Sequence, residues 1–246
     1  MKKLILHIPH SSTIIPSLQG YVVGQDILNA EIEKLTDWYT DELFSNPTDV
    51  SVVAPFSRIF CDPERFTDDS QEVMAKFGMG VLYETLDSGD KMREVTAQNR
   101  AFILENFYDP HHKKLNSSVL QQLQQTEKAL VVDCHSFPSV PLQRALVQDT
   151  NTPDYNIGTD AFHTPQKLID FSKDYFENLG YSLGIDTPYS GTIVPMEHYH
   201  KNKNVQSVML EVNRRLYLNE PSHQKSENFE HTKSVVQGFL AGLRSL

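Results

Sequence analysis

The stretch Ala129–Pro138, with the sequence ALVVDCHSFP, constrains the fold of this chain more than any other. Its first four residues, Ala129–Val132, are apolar and partly β-branched, which is typical of a strand buried on both faces of a sheet. The stretch then continues through Asp133, Cys134, His135 and Ser136, whose side chains can bind metal or transfer protons. Ligands of α/β proteins usually bind beyond the carboxyl ends of the strands, so we expect a functional site here.

Two further stretches follow the same design, an apolar strand that ends in polar residues. Leu4–Ser12 reads LILHIPHSS and leads into His10, and Val205–Tyr217 reads VQSVMLEVNRRLY and carries Glu211. Strands and helices alternate along the chain, which predicts an α/β fold with a largely parallel or mixed sheet covered on both faces. Three buried strands that end in His, His and Glu indicate a hydrolytic metal site.

Length and composition limit the class of protein. The chain has 246 residues, which suits one domain over residues 1–246, and its 39% hydrophobic and 22% charged residues are typical of a globular protein. With 22 basic and 32 acidic residues, the net charge is −10. This charge argues against a nucleic-acid or anionic-membrane partner, because both bind cationic surfaces. An acidic small-molecule substrate therefore requires a local cluster of arginines.

Cysteine content and the first residues indicate the compartment. Two cysteines, Cys61 and Cys134, are too few for a disulfide framework and favour a reducing environment. Lys2 and Lys3 precede an apolar run too short for the core of a signal peptide, and no run approaches the ~18 apolar residues of a membrane span. We therefore expect a cytoplasmic protein. The sequence leaves the oligomeric state open, homo-oligomers included.

The other elements are predicted from apolar spacing and turn residues. Helices are expected over Ile27–Phe44, Arg93–Phe107, His111–Lys128, Gln166–Leu179 and Glu227–Leu243. Further strands are expected over Val50–Ala54, Ala145–Gln148, Tyr181–Ile185 and Gly191–Val194, with a short strand or hairpin over Gly78–Thr85. Pro110 is expected to separate the second helix from the third. The loop 152–165 is expected to form one wall of a cleft.

His10 and His135 are the best candidates for metal ligands, because each lies just past a buried strand. Catalytic zinc takes three protein ligands and leaves one position for water, whose pKa it lowers toward neutrality. Asp133 lies two residues before His135, so both side chains can point to the same side of a continuing strand, and Asp133 could orient the imidazole. The alternative for His10 is a loop histidine that makes an ordinary hydrogen bond.

Asp37 is a candidate for the third metal ligand. On an unbroken helix over Ile27–Phe44 it lies opposite the apolar stripe, which places it in solvent. If the helix instead restarts at Thr36, a suitable N-cap residue, Asp37 turns inward. The sequence leaves both arrangements open.

Glu211 is the candidate general base. A carboxylate near the end of an apolar strand is partly desolvated, which raises its pKa toward the working range of a base. The alternative is an ion pair of Glu211 with Arg214 or Arg215.

Arg58 and Arg65 lie among aromatic residues in the segment FSRIFCDPERF. Arginine in such a setting can bind a carboxylate through bidentate hydrogen bonds, and the alternative is a structural Arg–Asp pair. His112, at the start of a predicted helix, is a candidate substrate contact. His198 and His200 lie in a polar, lysine-rich loop and are expected to be exposed.

Seven segments, in order from about residue 5 to residue 220, together resemble the N-formylglutamate amidohydrolase family. They are HIPHSS, TDWYTDELF, SRIFCDPERF, PHH, VVDCHSFPS, YNIGT and LEVNRRLY. The family is similar in fold to zinc carboxypeptidases and aspartoacylases, so the resemblance implies a three-layer α/β/α sandwich around a mixed, mostly parallel sheet. It also implies metal-assisted hydrolysis, with one zinc-class ion, of N-formyl-L-glutamate to formate and glutamate at the end of a histidine-degradation route.

Carried over to this sequence, the resemblance makes His10 and His135 metal ligands, Glu211 the base, and Arg58 and Arg65 the residues that face the glutamate carboxylates. Separately from the resemblance, the strand of Glu211 ends in candidate contacts to the substrate or to the developing oxyanion, namely Asn213, Arg214 and Arg215. Ser136 is a further candidate substrate contact.

This chain departs from the family pattern at two places. The family pattern Asp-x-Asn-Arg is replaced in this chain by Asp62-Pro63-Glu64-Arg65. The family also has an arginine after a Gly-Thr-Ile-like turn, and this chain has Pro195 there. Both places are expected to face the substrate, so the acyl amino acid is less well determined than the hydrolytic class. The alternative within this class is a carboxypeptidase-like or aspartoacylase-like deacylase of another acyl amino acid.

Two other classes stay open on the sequence. A metal-free hydrolase could use Cys134 or Ser136 as nucleophile, although neighbours of His135 on an extended chain point to the opposite face from it. A non-enzymatic carboxylate-binding protein would keep the arginines and require neither metal nor Glu211.

Overall fold

The computed structural model describes residues 3–246, so Lys2 of the signal-peptide argument lies outside the described residues. Eight strands are β1 (Ile5–Ile8), β2 (Val50–Val53), β3 (Ala129–Phe137), β4 (Tyr155–Gly158), β5 (Leu183–Ile185), β6 (Val205–Asn213), β7 (Leu218–Asn219) and β8 (Gln224–Lys225). Six α-helices are α1 (Gln25–Leu35), α2 (Thr40–Phe44), α3 (Ala97–Ile103), α4 (Asp109–Thr126), α5 (Gln166–Asn178) and α6 (Phe229–Ser245). Among the helices within residues 3–246, none combines the length and the apolar character needed to cross a membrane.

Six strands form the central sheet in the order β2-β1-β3-β6-β4-β5. All neighbours are parallel except β4 and β6, which are antiparallel. The short strands β7 and β8 form a separate antiparallel pair. The predicted mixed, mostly parallel sheet is therefore confirmed.

Helices cover both faces of the sheet, because alternate residues of each strand point to opposite sides. On one face, Ile5, Val131 and Val205 pack against α4. On the other face, the alternate residues of the same strands pack against α2, α5 and α6. Val132 on β3 and Val208 on β6 are examples. The result is the three-layer α/β/α sandwich that the family resemblance implied.

The helix predicted over Ile27–Phe44 is broken, so the expectation of one continuous helix was wrong. α1 ends at Leu35, where Thr36 caps it by donating its hydroxyl to the Ile32 carbonyl at 2.7 Å. Tyr39 then adopts a left-handed conformation with φ 59°, and α2 begins at the next residue. The break turns Asp37 into the interior, where it is 1% exposed. Thr36 is the C-cap of α1, whereas the sequence analysis proposed it as the N-cap of a second helix.

Two predicted strands are absent from the described residues. Residues 145–148 and 191–194 both belong to loops. The sheet instead takes β4 from the segment that we expected to be a loop wall. The strand over residues 145–148 was predicted from a short apolar run, but such a run can also line a cavity. Ala145 and Leu146 do line a cavity.

Pro110 does not separate two helices. It is the second residue of α4, inside a helical run that began before it. A single π-helical turn over Leu104–Tyr108 joins α3 to α4 without a gap. The expectation for His198 was also wrong, because it is 7% exposed, whereas the neighbouring His200 is exposed as expected.

One buried ion pair joins the end of α6 to the start of the sheet. Arg244 donates its Nε to Asp49 at 2.9 Å, and its Nη2 contacts the second carboxylate oxygen. Asp49 also accepts the backbone N–H of Leu4 at 2.9 Å, so it fixes the residue before β1. The side chain of Asp49 is fully buried and that of Arg244 is 6% exposed.

Replacing Arg244 by methionine should destabilise the protein strongly, because it leaves the Asp49 carboxylate buried without a cation. Breaking such a pair costs about 3–5 kcal/mol in unfolding free energy. Urea denaturation measures this loss, and Asp49→Asn/Arg244→Met should recover part of it because no buried charge remains. A loss no larger than that of Lys173→Met, on the exposed face of α5, would contradict the prediction.

Candidate active site

The carboxyl ends of β1, β3 and β6 meet at one edge of the sheet, where a cavity of about 240 Å³ opens. Strand register brings two predicted site residues together, because His135 on β3 lies directly opposite Glu211 on β6. Eight predicted site residues line the cavity. They are His10, Asp37, Arg58, Arg65, His135, Ser136, Glu211 and Arg214.

His10, Asp37 and His135 form a compact buried group, with one potential ligand atom from each lying within 4.8 Å of the others. The Nδ1 atoms of His10 and His135 lie 3.6 and 3.2 Å from Oδ2 of Asp37. The Nδ1 atom of His10 is buried and has no hydrogen-bond partner among the described residues. Two imidazole nitrogens and one carboxylate oxygen form a donor set that suits a zinc-class ion.

The outer nitrogens of the two histidines are held by carboxylates. Nε2 of His10 lies 2.8 Å from Asp62, and Nε2 of His135 lies 3.1 Å from Asp133. Metal-binding histidines in proteins usually have such partners, which fix the ring orientation. The sequence prediction that Asp133 could orient His135 agrees with this contact, whereas the partner of His10 was not foreseen.

Asp37 is also held by two other donors. Arg214 donates Nη2 to Oδ1 of Asp37 at 2.9 Å, and the Ser136 backbone N–H donates to Oδ2, the oxygen that faces the histidines, at 3.3 Å. Burial alone would raise the pKa of Asp37. The adjacent His10 and His135 side chains, together with the Arg214 charge, outweigh burial and hold the pKa well below its usual value. Asp37 is therefore an anion at neutral pH.

Glu211 differs from the other carboxylates of the cavity because it lacks a cationic partner within hydrogen-bonding reach. It is 6% exposed, and its Oε2 has no hydrogen-bond partner among residues 3–246. Burial raises its pKa to about 8, although the charge of His135 partly opposes the shift. The alternative ion pairs are not formed, because Arg214 pairs with Asp37 and Arg215 pairs with Asp154. A carboxylate with a raised pKa is suited to accept and return protons.

Asp62 connects a metal-ligand candidate to the arginines. It accepts hydrogen bonds from Arg58 Nη2 at 3.1 Å and from the Tyr83 hydroxyl at 2.7 Å, in addition to its contact with His10. Burial would raise the pKa of Asp62, but the charges of His10 and Arg58 outweigh it and hold the pKa well below the usual range. Arg58 therefore forms the structural Arg–Asp pair and also faces the cavity. Arg65 lies nearby, and its Nε is 3.6 Å from Asp62 and 3.9 Å from Glu72, in ion pairs that are too long for hydrogen bonds.

A second buried group lies beside the first and was not predicted. Nδ1 of His7 lies 3.0 Å from Asp133 and 2.9 Å from Glu64, while its Nε2 lies 2.8 Å from Nε2 of His111. Burial alone would lower the pKa of His7, but hydrogen bonds to both carboxylates raise it to about 9. Burial and the neighbouring His7 charge lower the pKa of His111 to about 2, so His111 stays neutral and its Nε2 can accept a hydrogen bond from protonated His7.

A signal for His7 was present in the sequence, since it is the one polar residue inside the apolar run of β1. Glu64 gave no such signal, because it reaches the site from a loop whose path depends on tertiary contacts. Tyr83 and Arg144 line the same cavity and were also missed.

Two predicted substrate contacts lie outside this cavity. His112 lines an adjoining cavity of about 260 Å³ and contacts the Pro63 carbonyl at 2.9 Å. Asn213 is buried, and its side-chain amide donates to the Thr152 hydroxyl at 3.0 Å and to the Pro153 carbonyl at 2.9 Å. The position of Asn213 indicates a role in holding a loop.

Cys134 does not face the site. Its thiol lies in the core on the opposite face of the sheet from His135 and donates to the Val132 carbonyl. Burial raises the pKa of the thiol well above its usual value. These properties exclude Cys134 as the nucleophile of a Cys–His pair in this structure.

One of the comparisons with known proteins shows the family of this chain. A family model described as N-formylglutamate amidohydrolase matches residues 2–218. A crystal structure of N-formylglutamate amidohydrolase from Ralstonia eutropha JMP134 is similar to this chain, with a TM-score of 0.85 and 21% sequence identity over 98% of this chain and 92% of that one. A gene product from Agrobacterium tumefaciens is similar with a TM-score of 0.67 and 19% identity, over 98% and 91% of the two chains. These two likenesses show a shared fold, and a comparison with curated protein sequences gave no significant match.

The contribution of Asp62 to stability should depend on pH. Folding lowers the pKa of the Asp62 carboxyl group below its unfolded value of 3.8. Such a group stabilises the protein fully above the unfolded pKa, and this stabilisation is lost as the pH falls through the folded pKa. The difference in unfolding free energy between the wild type and Asp62→Asn should therefore be largest above about pH 4 and shrink at lower pH. Urea denaturation across pH measures it, with Asp26→Asn in the exposed first turn of α1 as control. A difference that stays constant at low pH would contradict this account.

Proposed function

Because the chain belongs to the N-formylglutamate amidohydrolase family, we propose that it hydrolyses N-formyl-L-glutamate to formate and glutamate with the help of one divalent metal ion. The observation that carries this proposal is the buried group of His10, Asp37 and His135 beside Glu211. A cation bound there would lie at the carboxyl ends of the strands, in a cavity large enough for a small acyl amino acid.

The proposed metal ligands are Nδ1 of His10, Nδ1 of His135 and the Asp37 carboxylate. The unpartnered Nδ1 of His10 supports the fit, since a buried ring nitrogen without a partner is costly unless a ligand satisfies it. Asp62 and Asp133 hold the outer nitrogens, which keeps the inner nitrogens directed at one point. A bound zinc-class ion supplies polarisation of the substrate carbonyl and a lowered pKa for water.

Glu211 is the proposed general base. Its free Oε2 accepts a proton from the attacking water, and the resulting carboxylic acid then donates that proton to the leaving amine nitrogen. The raised pKa supports both halves of this cycle, because the group can hold the proton at neutral pH. A bound cation would lower this pKa again, which favours the base form before the reaction starts.

Arg58 and Arg65 are the proposed cationic groups of the cavity. Arg58 is oriented by Asp62 and Tyr83, so its position is fixed for stabilising the negative charge that develops on the carbonyl oxygen. Arg65, which lines the same cavity, is proposed to bind a carboxylate of the substrate. These local cations offset the net charge of −10, which otherwise repels a dianionic substrate.

The proposal is tested by incubating the purified, zinc-loaded protein with a panel of N-acyl amino acids and measuring release of the free amine. N-formyl-L-glutamate should be the preferred substrate. Chelation should abolish hydrolysis, and added zinc should restore it. Turnover that persists in the fully chelated protein would overturn the role of the metal, and preference for another acyl group would overturn the substrate.

The metal ligands are tested separately from activity. His10→Ala and His135→Ala should each lose most of the bound zinc, because each removes one of three protein ligands. Elemental analysis after dialysis measures the metal content. His231→Ala is the control, since this histidine contacts Tyr181 away from the cavity. Full zinc occupancy in His135→Ala would refute the ligand assignment.

Glu211→Gln should lower kcat by about 10² to 10⁴, the usual contribution of general-base catalysis. Glutamine is nearly isosteric with glutamate, so zinc content and thermal stability should be retained or slightly increased, because a buried carboxyl group is replaced by a neutral amide. Steady-state kinetics, metal analysis and thermal unfolding are measured on one preparation. A folded, zinc-loaded variant with near-normal kcat would end the assignment.

A further inference from the structure

The cavity contains one arginine that neither the catalytic chemistry nor the internal ion pairs require. Arg214 donates a hydrogen bond to Asp37, and Arg58 donates hydrogen bonds to Asp62 and Tyr83. Arg144 lines the same cavity, yet it forms no ion pair with any carboxylate among residues 3–246. A guanidinium group that faces a cavity without a carboxylate partner is available to an anionic ligand.

The position of Arg144 is set by a buried carboxylate beneath it. Asp87, which is 2% exposed, accepts the backbone N–H groups of Gln143 and Arg144 at 3.1 and 3.0 Å. The carbonyl of Asp87 accepts Nε of Arg144 at 3.3 Å. Asp87 is itself anchored to α1, since its N–H donates to the buried Glu31 at 2.7 Å. The guanidinium group is therefore oriented before any ligand arrives, which reduces the entropy lost on binding.

A glycine makes room for the same guanidinium group. Gly89 has φ +95°, and a Cβ atom built on it would lie 1.7 Å from Nη2 of Arg144. The turn around Gly89 thus requires glycine for its backbone conformation and also for the close approach of Arg144. A side chain at this position cannot coexist with Arg144 in its present place.

We propose that Arg144 binds the side-chain carboxylate of the substrate, while Arg65 binds the other carboxylate. This inference rests on the proposed function and assigns a residue to the selection of dicarboxylic acyl amino acids. Two separate guanidinium groups in one cavity match the two carboxylates of N-formylglutamate. The loop that carries Arg144 thereby becomes a specificity element of the site.

The sharpest test compares N-formyl-L-glutamate with N-formyl-L-glutamine, which differ only in the distal carboxylate. Arg144→Gln should reduce kcat/KM for the glutamate substrate by about tenfold to 150-fold, the value of a lost charged hydrogen bond. The value for the glutamine substrate should stay close to that of the wild type. Arg100→Gln, which removes an arginine whose contacts are with Thr67 and Asp69 outside the cavity, should leave both values unchanged.

Gly89→Ala provides a second variant that keeps the charge and displaces the guanidinium group. It should cause the same selective loss for the glutamate substrate. Because alanine also strains the turn at φ +95°, kcat/KM for the glutamine substrate and thermal unfolding of the variant are measured alongside, and both should stay near the wild-type values if only the guanidinium group has moved. If Arg144→Gln lowers kcat/KM equally for both substrates, or for neither, the proposal for Arg144 is overturned.

Binding separates this inference from the proposed function. Calorimetry with L-glutamate and L-glutamine on the zinc-loaded protein requires no turnover. Glutamate affinity should fall in Arg144→Gln while glutamine affinity does not. If the wild type hydrolyses neither formyl substrate, the proposed function fails, and the glutamate affinity still decides the role of Arg144. An unchanged glutamate affinity in Arg144→Gln would overturn it.

Discussion

The candidate site depends on the parallel pairing of β1, β3 and β6, whose side chains alternate between the two faces of the sheet. In β3, Val131, Asp133 and His135 face the α4 side, whereas Val132 and Cys134 enter the opposite core. A shift of register by one residue would exchange these two sets and place the histidine among apolar side chains. The apolar first half of each strand prevents that shift, so the core determines where the polar residues point.

Buried charge is the second constraint on this site. Asp37 and Asp62 are withdrawn from water and persist as anions only because histidine and arginine side chains surround them. Removing one member would leave another charge buried without a partner, so the network is stable as a whole. Several buried polar atoms within residues 3–246 lack hydrogen-bond partners, and those of His10 and Glu211 lie at the cavity, where a ligand would satisfy them.

Much of the fold was predictable because apolar periodicity reports burial directly. The buried strands β1, β3 and β6 and the amphipathic helices α5 and α6 were located from this signal, and the α/β class was confirmed. The meeting of His10, His135 and Glu211 followed from the same signal, since parallel strands bring their carboxyl ends to one edge. Which of these residues bind metal and which move protons stays a prediction.

The sequence by itself determined which strands are buried and which polar residues follow them, because these properties are local. The tertiary structure decided the inward turn of Asp37, the contact of Glu64 with His7 and the approach of Arg144 to the cavity. Each of these side chains lies outside the central strands, where the path of the chain is set by hydrogen bonds to residues distant in sequence. Asp87, for example, fixes Arg144 across 57 residues. Such contacts leave no periodic signal, since their free energy arises only when the whole domain is assembled.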